Sequence, residues 1–272
     1  ALHHWEEPPI SGKRGSGTVF FSGCSLGCVF CQNEAISHRD FGKALTVPRL
    51  REVCLELVRQ GAHNINFVNP THYAHVVRQV LEEPLPVPVV WNSGGYDRVE
   101  TLRALEGRVD VYLPDLKYLD PETAGRYSAA SDYPGAAKAA IEEMFRQTGP
   151  YRMENGLLKQ GVLIRHLLLP GELENTRRVI DWVAESFRPG EVLFSLMSQY
   201  TPLYRAKEIK ALSRKLTTFE YEKVIDYFFE IGLKNGFMQK RSSATGEYTP
   251  TFDLSGVVAA ESFMKREENH HD

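Results

Sequence analysis

The chain has 272 residues, 42% hydrophobic and 25% charged, a balance that supports a packed core and excludes general disorder. Thirty-two basic residues against 35 acidic ones leave a net charge of −3, which gives no electrostatic ground for binding nucleic acid or an anionic membrane. No apolar run approaches the roughly 18 residues of a membrane span, and the polar start Ala1-Leu-His-His-Trp-Glu-Glu has no signal core, so a cytoplasmic location is expected.

The first residue is not Met, which leaves room for residues upstream. Short apolar runs then alternate with amphipathic stretches. The pattern predicts strands at residues 18–22, 64–68, 87–91, 109–113, 161–168 and 191–197, with helices at 47–60, 72–82, 97–105, 121–130, 174–187 and 206–215. In the first helix Val47, Leu50, Cys54, Leu57 and Val58 share one stripe, which puts the Cys54 thiol in the core. Successive strand–helix units point to an α/β fold with a parallel sheet and right-handed crossovers. No repeat or linker divides the chain, so one domain over residues 1–272 is expected. A further helix is expected at 136–147, and the aromatic stretch 219–229 reads as a core helix. Residues 238–253, with Glu247, Tyr248 and Asp253, read as loop and short strand, and the charged tail 265–272 as disordered.

Three of the four cysteines fall within eight positions, in Gly23-Cys24-Ser-Leu-Gly27-Cys28-Val-Phe30-Cys31. In a cytosolic chain a cluster of this kind is metal-binding more often than disulfide-bonded. Thiolate ligation favours iron–sulfur or zinc. Three ligands leave one iron of a cubane open to a substrate or cofactor, whereas a zinc loop needs a fourth ligand, for which His38 is at hand. Phe30 is placed to shield one side of a cluster.

The Cys-x3-Cys-x-Phe-Cys pattern, following the strand Val19-Phe-Phe-Ser-Gly23, resembles the radical S-adenosylmethionine (SAM) superfamily. Within it the chain resembles the pyruvate formate-lyase activating enzymes and their little-characterised homologues, over most of residues 15–204. The resemblance implies a partial (β/α)6 TIM-like barrel, with a core over about residues 15–215 and a C-terminal helical and loop extension over about 216–272. It implies a [4Fe-4S] cluster held by Cys24, Cys28 and Cys31, with SAM on the fourth iron. It further implies a reductant such as flavodoxin or ferredoxin, whose electron cleaves SAM to a 5′-deoxyadenosyl radical that abstracts hydrogen.

In parallel α/β folds chemistry gathers at the carboxyl ends of the strands. The segments there are Asn69-Pro-Thr71, Asn92-Ser93, Asp115-Leu-Lys117, Arg165-His166 and Ser198-Gln199-Tyr200. By the resemblance, Asn69 and Thr71 stand where the family's Gly-Gly-Glu meets the SAM amino group, without its carboxylate. Asn92 and Ser93 match an Asp-Thr pair that, with Asp115, holds a monovalent cation in the activating enzyme. Lys117 and Arg165 match residues that reach SAM, and Gln199 or Tyr200 stands where the family has a ribose-contacting His. His72 is read as opening a helix, with ligand or substrate contact as the alternative; His3 and His4 precede the first strand, and Trp5 is placed to pack over the open side of the barrel.

On resemblance the hydrogen donor is a backbone glycine of a glycyl radical enzyme. A second reading is a radical enzyme acting on a small metabolite, a peptide or another protein. A third is a non-catalytic iron–sulfur or zinc protein. Cys54 alone remains after the triad, too little for a second all-cysteine cluster.

Overall fold

The structure, a computed structural model, describes residues 1–39, 41–232 and 236–238, together with 252, 254, 256 and 257. Its strands are β1 (Leu2–His3), β2 (Ser16–Phe20), β3 (Ile65–Val68), β4 (Val89–Ser93), β5 (Val111–Pro114), β6 (Arg152–Glu154), β7 (Leu157–Leu167), β8 (Leu193–Met197) and β9 (Gly236–Met238). They join in the order β1-β2-β3-β4-β5-β7-β8-β9, with β6 pairing against β7. Strands β2, β3, β4, β5, β7, β8 and β9 run parallel and curl into a half-barrel, as the partial-barrel reading expected. β1 adds an antiparallel strand along β2.

The helices are α1 (Pro8–Ser11), α2 (Glu34–Ser37), α3 (Val47–Arg59), α4 (Ala74–Val80), α5 (Val99–Arg103), α6 (Pro121–Ser128), α7 (Tyr133–Thr148), α8 (Leu173–Ser186) and α9 (Thr218–Glu230). Local chemistry starts several of them. The Thr46 hydroxyl accepts from Arg49 N at α3, the Asp120 carboxylate accepts from Thr123 N at α6, and Thr217 with Glu220 forms a capping box at α9.

Alternation along the strands sorts side chains to two faces. The outer face, with Ile65, Phe67, Trp91, Tyr112, Ile164 and Phe194, packs on the helices, and Cys54 lies fully buried in that layer as its stripe required. Burial pushes the Cys54 thiol up to about 12. The concave face carries Val90, Val111, Leu113, Leu163 and Leu193, capped by Ile10 of α1. α1 therefore closes the lower part of the lumen and delivers the residues just before it into the barrel.

Several expectations are corrected. The helix expected at 206–215 is a 3-10 turn at Tyr204–Glu208 followed by turns, and the Leu212 carbonyl there accepts from the Tyr200 hydroxyl (2.7 Å). The helix expected at 72–82 is a 3-10 turn at Thr71–Tyr73 that leads into α4. The helix expected at 97–105 is confined to α5, and α7 starts at Tyr133, ahead of the expected 136. The aromatic stretch of α9 buries Val224 and Phe228 but leaves Phe219 65% and Phe229 60% exposed. The seventh parallel strand, β9, had not been assigned. Residues 239–250, with Glu247 and Tyr248, and Asp253 and the tail 265–272, lie outside the described residues.

Candidate active site

β2 delivers the chain into the thiol loop. Gly23 takes φ +87°, open to glycine at little cost, and a Cβ there would meet His72 Nε2 at 3.0 Å. Gly27 has no positive φ; it allows close approach, its N–H donating to Ser128 O (2.9 Å). Val29 N–H donates to Tyr127 O (2.9 Å), so the end of α6 clamps the loop from one side. From the other side Asn69 Nδ2 donates to Gly23 O, and His72 Nε2 lies 2.6 Å from Ser22 O.

All four cysteines are free. Cys28 is buried with Sγ 3.0 Å from Ser128 Oγ, and Leu26 N–H points to Cys24 Sγ (3.4 Å). Burial pushes the Cys28 thiol up to about 11, against the pull of Lys117 and Ser128, and burial raises Cys31 as well. Buried thiols of this kind shed their protons to a metal, not to water. Among the described residues no three His, Cys, Asp or Glu groups converge on a single-ion position. A structural zinc site takes four ligands, whereas a cubane takes one thiolate at each of three corners. His38, the fourth ligand of the zinc reading, stacks on Tyr204 with ring centroids 5.6 Å apart. The donor set fits a [4Fe-4S] cluster with one open iron.

Near the thiols lies a layer of buried charge, with Lys117 acting on the Cys28 thiol. Asp115 accepts from Lys117 Nζ (2.6 Å) and pairs with Arg165 Nη2 (2.9 Å). Burial opposes ionisation of Asp115, but Arg165 and Lys117 together hold its carboxyl below the usual range. Burial likewise opposes the Lys117 charge and is outweighed by Asp115 and then Cys28, which raise its pKa. Arg165 Nη2 also donates to Asn92 Oδ1 (2.6 Å), so the guanidinium bridges two of the three residues read as cation ligands.

Two carboxylates that the sequence reading had passed over complete this layer. Glu6 accepts from Asn66 Nδ2 and Asn92 Nδ2 (both 3.3 Å) and pairs with Arg165 Nη1 (3.4 Å). Glu7 is only 3% exposed and stands 4.0 Å from Arg165 Nη1. Burial raises both, Glu7 to about 7, with Arg165 opposing. The signal available was only that both sit in the segment holding His3, His4 and Trp5. Because Glu7 starts near 4.5 in the unfolded chain and titrates near 7 in the fold, its ionisation costs stability as pH rises through that window. Glu7→Gln is therefore expected to match wild type below about pH 4.5 and to exceed it above about pH 7, by on the order of 3 kcal/mol. Urea unfolding across that range checks it, and a constant difference at every pH would refute the assignment.

The remaining residues are placed as follows. Thr71 Oγ1 donates to Asp97 Oδ1 (2.7 Å), and Ser93 Oγ donates to Asp97 Oδ2. Asp97 is 2% exposed and was not singled out by sequence; with Trp91 Nε1 also donating, it ties together the ends of β3 and β4. Burial raises its pKa against these three donors. Asn69 takes left-handed backbone (φ 56°), and its N–H donates to Asn92 O (2.7 Å). Phe30 packs edge-on to Tyr200 (6.2 Å), whose hydroxyl is spent on Leu212; Gln199, not Tyr200, lines the lumen cavity. His166 faces away, its ring nitrogens at Leu116 O (2.7 Å) and Thr176 Oγ1 (2.9 Å), and burial holds it down at about 4. A cavity of about 130 Å³ remains, lined among others by His3, Trp5, Glu7, Gln32, Arg165 and Gln199.

A seven-stranded parallel half-barrel thus carries a three-cysteine loop at the C-terminal end of its first parallel strand. Residues 18–183 match the family model described as the radical SAM superfamily, and the chain belongs to that family. It is 33% identical over 223 residues to the uncharacterized protein MJ0674 of Methanocaldococcus jannaschii, a match covering 78% of this chain and 61% of that protein. Among solved structures it is similar to Streptococcus suis SuiB bound to S-adenosylmethionine (TM-score 0.56, 14% identity, 87% of this chain and 54% of that one). It is also similar to methylornithine synthase PylB (TM-score 0.51, 17% identity, 96% and 84%). The chain thus spans between about half and two thirds of the length of MJ0674 and SuiB; these structural likenesses speak to fold. The family uses a [4Fe-4S] cluster and SAM and draws its electron from an external reductant. No described helix is long and apolar enough to cross a membrane.

Proposed function

We propose that Cys24, Cys28 and Cys31 hold the cluster and that Lys117 and Arg165 receive the SAM carboxylate, with Asn69, Thr71, Asn92, Ser93 and Asp115 shaping the same pocket; Gln199, read from the sequence as a ribose contact, lines the cavity that also holds Glu7. When bound, the cluster and SAM supply a 5′-deoxyadenosyl radical for hydrogen abstraction. The protein's own residues bind, orient and exclude water. The observation that carries this reading is a buried Lys117–Asp115–Arg165 chain whose Lys117 lies close enough to act on the Cys28 thiol. Those cations sit where a ligand carboxylate gains charge-assisted hydrogen bonds away from solvent.

Two substrate readings remain from the sequence. Activation of a glycyl radical enzyme requires the lumen to admit a neutral backbone loop. A small-molecule substrate is favoured by the acidic character of the cavity at Glu6 and Glu7, which offers acceptors where a peptide backbone brings donors and acceptors in equal number. The test is anaerobic reconstitution with iron and sulfide, addition of SAM and dithionite, and quantification of 5′-deoxyadenosine. Product from wild type is expected; none from protein carrying a full complement of iron would overturn the reading.

A further inference from the structure

The lumen charges do not balance. Three carboxylates, Glu6, Glu7 and Asp115, face two cations, Lys117 and Arg165. Asp115 takes the close contact of both cations, and Glu6 shares Arg165 with it at 3.4 Å. Glu7 is left at 4.0 Å from the nearest positive nitrogen. Hydrogen bonding tells the same story. Glu7 Oε2 and Gln199 Oε1 are both buried with no hydrogen-bond donor among the described residues, and both residues line the one cavity. Unmet buried acceptors are rare in folded proteins. What satisfies them must bring donors, and a positive charge offsets the third carboxylate; Arg165 Nε, a buried donor without a partner among the described residues, lines the same cavity and leaves room for one acceptor beside them. An alkylammonium has three N–H donors and no acceptor. The same cavity is walled by Trp5 and Phe20, whose rings suit a cation and its alkyl stem.

We propose that Glu7 and Gln199 bind the ammonium group of a small primary-amine substrate, seated in the lumen beside the thiol loop. The inference rests on the radical SAM reading of this pocket and names the substrate class for it. Gln32 and Asn33, which directly follow Cys31, line the same cavity, so a bound amine lies next to the cluster loop. The groups facing Glu7 are Arg165 from β7, Asp115 just past β5, and Glu6 and His3 from its own segment, with Lys117 behind Asp115. Since Glu7 is raised to about 7 and must be ionised to hold an ammonium, amine binding strengthens as pH rises through 7.

The test is calorimetric titration of the cluster-loaded protein with n-butylamine and with n-butanol, its neutral counterpart, at about pH 6 and about pH 8, with and without SAM. At the higher pH the amine is expected to bind at least about tenfold tighter than the alcohol, and that preference shrinks severalfold at the lower pH. Glu7→Gln is expected to erase the preference, and Gln199→Leu to reduce it. Equal binding of the two probes, or a preference unchanged in both variants, overturns the proposal. Displacement of the amine by SAM also overturns it, because the carboxylate then serves SAM itself. 5′-Deoxyadenosine measured on the same sample separates the two levels: product without amine preference sinks this inference alone, and amine preference without product sinks the radical reading.

Discussion

Cys28→Ala protein is expected to keep its fold and lose both its iron and its ability to cleave SAM. The Cys28 thiol is buried and touches only Ser128 Oγ among polar groups named around it, at 3.0 Å. The loop around it is fixed by backbone bonds, Gly27 N–H to Ser128 O and Val29 N–H to Tyr127 O, which the substitution leaves in place. What disappears is one of the three proposed cluster ligands. Iron per chain should fall from about four to a small fraction of that after reconstitution, while the far-ultraviolet dichroism stays unchanged. 5′-Deoxyadenosine should fall by more than about a hundredfold, beyond what loss of an outer-shell partner costs. Cys54→Ala serves as the control: it removes a thiol from the α3 core at a cost of about 1 kcal/mol and leaves iron content alone. If Cys54→Ala lost the cluster and Cys28→Ala kept it, the ligand assignment would be wrong.

Arg165→Ala is expected to have the largest effect on stability. Its guanidinium is the junction of the lumen: Nη2 reaches Asn92 Oδ1 and Asp115 Oδ1, and Nη1 reaches Glu6 and Glu7. Removing it leaves three buried carboxylates against Lys117 alone. Stripping the partner from buried charges costs about 3–5 kcal/mol. The cost depends on pH in a definite direction. Glu6 and Glu7 have raised pKa values, so at low pH they are protonated and lose little when Arg165 goes. The destabilisation should therefore grow as pH rises toward and past 7, and the double change Glu6→Gln with Glu7→Gln should restore part of it. Urea unfolding at about pH 5 and about pH 8 decides the matter; equal losses at both would mean the network is not charged as described. SAM affinity, measured separately, should drop roughly tenfold or more for loss of a charge-assisted contact.

The sequence made the barrel legible because each inner strand is a short β-branched or aromatic run flanked by turn residues, as in Asn64-Ile-Asn-Phe-Val68. The thiol loop was legible for another reason: its information is local, three ligands within eight positions. Segment 206–215 misled because Ile209, Leu212 and Leu216 repeat at helical spacing, yet a tertiary bond from Tyr200 claims the Leu212 carbonyl that a helix would use internally. Phe219 and Phe229 misled likewise, since apolar spacing marks a helix but does not say which face meets the core. Glu6, Glu7 and Asp97 were not legible as site residues. A carboxylate in a polar leader or before a helix looks the same whether it points at solvent or into a lumen, and only the sheet's curl brings Glu6 to Arg165.

That contact has a consequence for how the chain is made. Glu6 and Arg165 lie 159 residues apart, whereas most neighbouring strands in the parallel sheet follow one another along the chain. Neighbouring strands can zip together as they emerge from the ribosome, but Glu6 and Glu7 have no counter-cation from β7 until the chain has been made through Arg165. Until then Glu6 and Glu7 stay hydrated, and α1 has no complete concave face to cover. The lumen thus dries out only once β7 is in place, and nascent chains stopped short of β7 should present residues 6–11 as protease-sensitive while the β2–β5 region is already protected.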